Sequence, residues 1–377
     1  MKLICHRDEL IRGLAIVDGA VARTSTLPVL ANVLLATDGE RLRLAATNLE
    51  LGISCTVNAK VEAEGTTTVP AKLLAQFVKS LPSEPINIEL EERTQTLSLQ
   101  CTGQKARIKG ISSSEYPVPS ALEGAQGITI DAQLLREMIG QVAYAADTDT
   151  SRPTLTGIYT VISPEGLTMA ACDGYRLARR TATIKPAPEI QASAIIPASA
   201  MREVAKIIGA ADCACKLTFE KAEQGETVTR ASFSLPGTEI TCQVLDGQFP
   251  DYQQVVPKSY NIELRVSSAA LQRTARTAML FTDKACRIFV KLEADGRAII
   301  TARSAEYGEN ESEVQGTLEG EPLEFALNGQ MLNDALASIP GGEVRIELNA
   351  AVNPVGIRPT DGTDLYALVT PMHKGDR

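Results

Sequence analysis

The sequence repeats itself, and this limits its folds more than any other feature. Leu44-Ala45-Ala46-Thr47-Asn48-Leu49-Glu50 returns as Met169-Ala170-Ala171-Cys172-Asp173-Gly174-Tyr175, and more faintly as Ile300-Thr301-Ala302-Arg303-Ser304-Ala305-Glu306. Each copy follows a turn that holds a glycine, Gly39, Gly166 or Gly296, a residue that supplies the positive φ of tight hairpins. A second set is Val69-Pro70-Ala71-Lys72, Ile196-Pro197-Ala198-Ser199 and Ala326-Leu327-Asn328-Gly329; here a proline opens a helix in the first two copies. The spacing in both sets is about 125–131 residues, so a chain of 377 residues holds three copies.

Each copy is itself double. Helical stripes start at Asp8 (Leu10, Ile11, Leu14, Val17), Asp131 (Leu134, Leu135, Met138, Ile139, Val142) and Ser267 (Leu271, Ala275, Ala278, Met279). Asp and Ser are good N-caps. Three more begin at Ala71 (core face Leu73, Leu74, Phe77, Val78 and Leu81), Ala198 and Asn328, roughly 63 residues further along in each copy. Alternating apolar runs such as Leu42-Leu44-Ala46 and Val344-Ile346-Leu348 predict strands between them. The expected fold is α+β: three similar domains, each a doubled helix-plus-antiparallel-strand unit, each burying its own core. Linkers near 117–127 and 253–259 place the domains at 1–122, 128–252 and 258–377.

The net charge is -9, but nine acids and no Lys or Arg fall between Ser304 and Val344, and the rest of the chain is balanced. The total therefore does not exclude a polyanion partner. On the predicted helices the stripe opposite the core leans basic: Arg12 with Arg23 beyond it, Lys72 and Lys79, Arg136, Arg202 and Lys206, Arg273 and Arg276. Only the last helix, with Gln330 and Asp334, does not. Equivalent faces of a repeat make one mildly positive surface, without the aromatic interleaving used to stack bases. Sequence-independent contact with a phosphate backbone is what such a surface offers.

No apolar run is long enough to span a membrane. Met1–Glu9 meets acid too early for a signal peptide, so a cytoplasmic location is expected. The two histidines, His6 and His373, and eight cysteines without a C-x-x-C pair lack metal-ligand spacing, so no metal or cofactor is expected. The cysteines are expected to be reduced, buried thiols, with Cys213 and Cys215 on one strand face.

Several longer segments carry a family resemblance. Arg23-Thr24-Ser25-Thr26-Leu27-Pro28-Val29-Leu30-Ala31-Asn32, Arg152-Pro153-Thr154-Leu155-Thr156-Gly157, Ala171 to Ala178, Asp246-Gly247-Gln248-Phe249-Pro250-Asp251-Tyr252 and Tyr366 to Met372 resemble the β subunits of bacterial DNA polymerase III, the sliding clamps. The likeness runs from Met1 to Met372, and His373–Arg377 extend beyond it. It implies a non-catalytic processivity factor and a head-to-tail homodimer forming a closed ring of clamp domains. Duplex DNA would be held without sequence preference. The replicative polymerase, the clamp loader and other proteins would bind through short peptides.

Carried over residue by residue, the peptide pocket is Leu155, Cys172, Gly174, Tyr175, Arg176, Leu177, Pro250, Gln254, Val255, Val256, Asn328, Met331, Pro354, Leu368, Val369, Pro371 and Met372. Cys172 stands where Thr is common, and Gln254 where Arg is common. The DNA-facing residues are Arg23, Lys72, Lys79, Arg152, Arg202 and Lys206, and the dimer contact includes Met279 and Leu280. Two alternatives come from the residues alone. One is a protein-binding repeat scaffold without DNA. The other is an enzyme with Cys172 as nucleophile, which would need a base that neither histidine's context supplies.

Overall fold

The computed structural model describes residues 1–118, 127–222, 227–339 and 341–373. Most of the expected 117–127 linker, the first domain's limit at 122 and the tail Lys374–Arg377 lie outside them. Among the described residues there are six α-helices: α1 (Arg7–Val17), α2 (Ala71–Ser80), α3 (Ala132–Val142), α4 (Ala198–Ile208), α5 (Ser268–Met279) and α6 (Gly329–Ala337). Asp131, Ser267 and Asn328 cap α3, α5 and α6, their side-chain oxygens accepting from the N–H of Leu134 (2.8 Å), Ala270 (3.4 Å) and Met331 (3.1 Å). α1 starts one residue earlier than expected, because His6 Nδ1 accepts from the Asp8 N–H at 3.4 Å.

The doubled unit is strand, helix, three strands. It runs Lys2–His6, α1, Asn32–Asp38, Arg41–Thr47, Leu51–Asn58, and again Thr66–Pro70, α2, Pro85–Glu91, Thr96–Cys101, Gln104–Lys109, with Lys60–Ala63 added between them. The second and third copies follow the same order. In each copy the strand before a helix pairs with the strand after the sister helix. Lys2–His6 lies on Pro85–Glu91, and Thr66–Pro70 on Asn32–Asp38. The later copies repeat the exchange. Each half thus lends its first strand to its sister's sheet.

The chain divides into two compact units. The first is Met1–Leu135 with Glu203–Val244, and the second Arg136–Arg202 with Leu245–Arg377. The first holds a five-stranded and an eight-stranded sheet, the second a twelve-stranded sheet. The sheets, however, run on from one copy into another within each unit. Thr238–Gln243 of the central copy pairs with Leu51–Asn58 of the first, and Arg176–Ala182 pairs with Leu365–Val369 of the third.

Each helix lays a narrow stripe on a sheet. α1 buries Leu10, Gly13, Leu14 and Val17. A Cβ on Gly13 would fall 2.3 Å from a Leu44 methyl, so the close helix–sheet approach requires glycine there. α5 and α6 pack together over Ile288, Ile300, Phe325 and Ile346, burying Leu271, Ala275, Ala278, Leu332, Ala335 and Leu336. Each buried Leu contributes about 1.5–3 kcal/mol, each Ala well under that. The three turn glycines, Gly39, Gly166 and Gly296, all have positive φ. Five of the eight cysteines are buried; Cys172, Cys213 and Cys286 are half-exposed. Cys213 precedes the strand Ala214–Lys221 rather than lying in it beside Cys215.

Candidate partner groove and basic helix faces

The expected pocket residues of the second unit lie around one turn. Asp173 Oδ1 accepts the backbone N–H of Tyr175 (2.8 Å) and of Arg176 (2.9 Å), while Gly174 takes φ +94°. Asp173 Oδ2 accepts from Arg176 Nε at 2.9 Å. Arg176 Nη1 reaches Asp334 Oδ2 on α6 at 2.8 Å, and its guanidinium lies 5.6 Å from the centre of the Tyr144 ring. Asp334, read in the sequence only as an outward polar residue, therefore ties α6 to the turn.

Leu177 and Leu368 face each other across the strand pair and cluster with Tyr366, Cys172, Tyr252 and Val256. These, with Leu155 and Val369, are buried or half-buried. Next to these in the chain, the exposed apolar side chains are Tyr175 (62%) and Val255 (54%). Met331, Pro354, Pro371 and Met372 are half-buried, and Pro250 and Gln254 exposed. The terminal segment is pinned by backbone bonds from Thr370 to Tyr175 (2.9 Å) and from Met372 to Ala326 (2.8 Å). Asn328 is spent on capping α6, and Gln254 donates to Asp251 at 2.9 Å. Tyr252 and Asp334 are additions to the expected set: Tyr252 clusters with Cys172, Leu177 and Leu368, and Asp334 binds Arg176, partners from remote parts of the chain that no local pattern marks.

Burial and then the Asp173 charge push the Cys172 thiol up to about 11, the wrong direction for a nucleophile at neutral pH. His6 is the α1 cap, and His373 is exposed.

In the first unit α1 and α2 pack side by side. Lys72 and Lys79 of α2 and Arg23 beyond α1 are exposed, with no ion-pair partner among the described residues. Leu73, expected in the core, is 50% exposed: the buried stripe is Ala71, Leu74 and Val78, and Leu73 sits off it beside Lys72. Lys206 is exposed but pairs with Glu203 at 3.0 Å. In the second unit Arg202 donates to the Ala143 carbonyl at 2.7 Å, and Arg152 pairs with Asp147 at 2.6 Å. Arg152 lies beside the groove turn, its Nη1 3.3 Å from where a Cβ on Gly174 would stand. Met279 is half-buried against Gly329, while Leu280 is 73% exposed.

The chain is 32% identical over 379 residues to the beta sliding clamp of Synechococcus elongatus, covering 99% of both chains. The solved DNA polymerase III subunit beta of Pseudomonas aeruginosa is 28% identical, with a TM-score of 0.89 over 99% of this chain and 100% of that one. The Bacillus subtilis sliding clamp, 22% identical, shares the fold at a TM-score of 0.93 over 99% of both chains. The class is therefore the DNA clamp: three similar domains of mixed helices and antiparallel sheets. The descriptions of the DNA polymerase III beta subunit's N-terminal, central and C-terminal domains match residues 1–120, 129–251 and 253–373 in turn. The chain belongs to that family, and its role is that of a DNA sliding clamp, the processivity factor of replication.

Proposed function

We propose that two copies of this chain join head to tail around duplex DNA and slide on it, catalysing nothing themselves. The replicative polymerase, the clamp loader and other partners dock by short peptides in the groove beside Cys172–Leu177. The observation that carries the reading is the pairing of last strands. The last strand of the first half-copy pairs with that of the fourth, and the last strand of the third with that of the sixth. Two are left over: Gln104–Lys109, an edge strand paired only with Thr96–Cys101, and Gly308–Glu319, which pairs with Ile262–Ser267 through residues 316–319 and only with Arg297–Ser304 through residues 308–315. The same rule joins them between copies. Head-to-tail contacts of this kind close when the rotation allows.

Charge supports the join. Gln104–Lys109 carries Lys105, Arg107 and Lys109 and no acid; Gly308–Glu319 carries Glu309, Glu311, Glu313 and Glu319 and no base. The acid-rich stretch of the sequence thus gains a use: an edge that suits the basic edge of another copy. Met279 and Leu280 would belong to the same contact. Arg23, Lys72, Lys79, Arg152, Arg202 and Lys206 would face the DNA. The domain limits are 1–122, 128–252 and 258–377, and the setting is the cytoplasm.

The test is topological. Loaded clamps should stay on nicked circular DNA and run off the same DNA once linearised; equal retention on both would sink the reading. Reversing Lys105 and Arg107 to Glu should turn dimer into monomer by light scattering, and an unchanged mass would refute the edge pairing. Deleting residues 370–377 should abolish binding of a peptide with Gln, Leu and Phe anchors while the dimer persists.

A further inference from the structure

The charges around the groove do not balance. Arg176 is its central cation, but it is already held by two carboxylates, Asp173 at 2.9 Å and Asp334 at 2.8 Å. Arg152, beside Gly174, is taken by Asp147 at 2.6 Å. Arg179, two residues beyond Leu177, is taken by Asp364 at 2.5 Å. On the segment after Pro250, Asp251 has a neutral partner, the Gln254 amide at 2.9 Å. Each guanidinium has at least one acid, and Asp251 together with one of the Arg176 pair remains in excess.

These groups sit next to the exposed apolar surface. Asp173 precedes Gly174 and Tyr175, Asp251 and Gln254 flank the turn that presents Val255, and Asp334 lies one helical turn beyond Met331. A carboxylate entering here meets no uncommitted guanidinium among these three and at least two unneutralised acids. An ammonium or guanidinium meets the reverse. Partly exposed charges within a Debye length, about 10 Å at 0.1 M salt, act on each other but are damped by added salt.

Resting on the groove assignment above, we propose that this clamp selects its peptides by charge as well as by apolar anchors: Asp251 and the Asp173–Arg176–Asp334 bridge favour a partner segment with a Lys or Arg beside its anchors and disfavour one with Asp or Glu there. Gln254 is the position that sets the preference, since a cation there would neutralise Asp251. Asp334 acts through Arg176 and is a positioning residue.

The experiment uses the full chain and two fluorescein-labelled peptides with the same Gln, Leu and Phe anchors, differing only in a Lys or an Asp between them. Anisotropy titrations at low salt should show the Lys peptide binding about three- to tenfold tighter, the gap shrinking towards twofold or less at about 0.5 M salt. Gln254→Arg, an exposed change, should narrow or reverse the gap. Asp334→Asn should raise affinity for the Asp peptide more than for the Lys peptide, a shift that a merely structural loss would not produce. Equal affinities, a preference for the Asp peptide, or a gap indifferent to salt and to Gln254→Arg would overturn charge selection while leaving the groove in place. If neither peptide binds, the groove assignment fails and this proposal with it.

Discussion

The turns at Asn48 and Asp173 are one device in two surroundings. In both, a side-chain oxygen accepts two backbone N–H groups: Asn48 Oδ1 from Glu50 (3.0 Å) and Leu51 (2.8 Å), Asp173 Oδ1 from Tyr175 and Arg176. In both, the next residue has positive φ, Leu49 at +80° and Gly174 at +94°. Around the first turn, Tyr116 closes the site, its hydroxyl accepting the Thr47 N–H at 3.1 Å and its ring lying among Leu30, Leu34 and Ala45. Around the second, Phe249 takes the place of Tyr116. It stacks on Tyr159 at 5.2 Å, lacks the hydroxyl, and leaves Cys172 half-exposed. Exchanging Asn for Asp and Leu for Gly adds a charge that can hold Arg176 and removes a side chain from the groove. One repeat unit can thus serve as plain scaffold or as a binding site, according to a few residues on a shared turn.

Swapping the glycine should have the largest effect on peptide binding. Gly174→Leu puts a side chain at φ +94° against Arg152, and peptide affinity should fall at least thirtyfold, about 2 kcal/mol. Leu49→Gly should leave it within twofold. Equal losses at the two turns would mean that Gly174 matters only for folding.

A smaller effect is expected from Asp173→Asn. The turn survives, as Asn48 demonstrates, but Arg176 loses one of two carboxylates in a site where Asp173 is buried. Urea unfolding should show a loss of about 1–1.5 kcal/mol. Asn48→Asp, on an exposed turn, should cost under about 0.5 kcal/mol. If both changes are neutral, the ion bridge does not stabilise the second unit. Tyr116→Phe makes the first turn more like the second and strips the buried Thr47 N–H of its partner, for a cost of about 1 kcal/mol by the same measurement.

The parts of this molecule legible in the sequence are those set by local rules. Capping residues, turn glycines and 3.6-residue stripes located all six helices within a residue or two, because each signal lies inside one short segment. The strand exchange between half-copies was not legible. Lys2–His6 is an alternating strand whichever neighbour it takes, and only the register with Pro85–Glu91 decides. Leu73 was misplaced because it is apolar but lies off the stripe that Ala71, Leu74 and Val78 bury. In the groove, the family likeness supplied the names, but the charges came from pairs such as Arg176 and Asp334, 158 residues apart. No local pattern marks such a pair.

The smallest expected effect concerns Cys172, the counterpart of Thr47. The Thr47 hydroxyl accepts the Leu49 N–H at 3.0 Å and donates to the Leu51 carbonyl at 3.1 Å. Cys172 offers a poor substitute, so Cys172→Thr should change stability by only a few tenths of a kcal/mol, in the stabilising direction. Its thiol reports the surroundings more directly. With the acid form favoured by burial and by Asp173, ionisation sets in only near about 11. Iodoacetamide labelling of Cys172, followed by peptide mapping, should therefore be slow at pH 8. It should rise about tenfold per pH unit and level off near that value. Asp173→Asn removes a neighbouring negative charge, which favours the thiolate, so the levelling point should move down. Bound peptide should slow labelling at every pH. A Cys172 that reacts at neutral pH as fast as a free thiol would place it in water rather than in the wall of a groove.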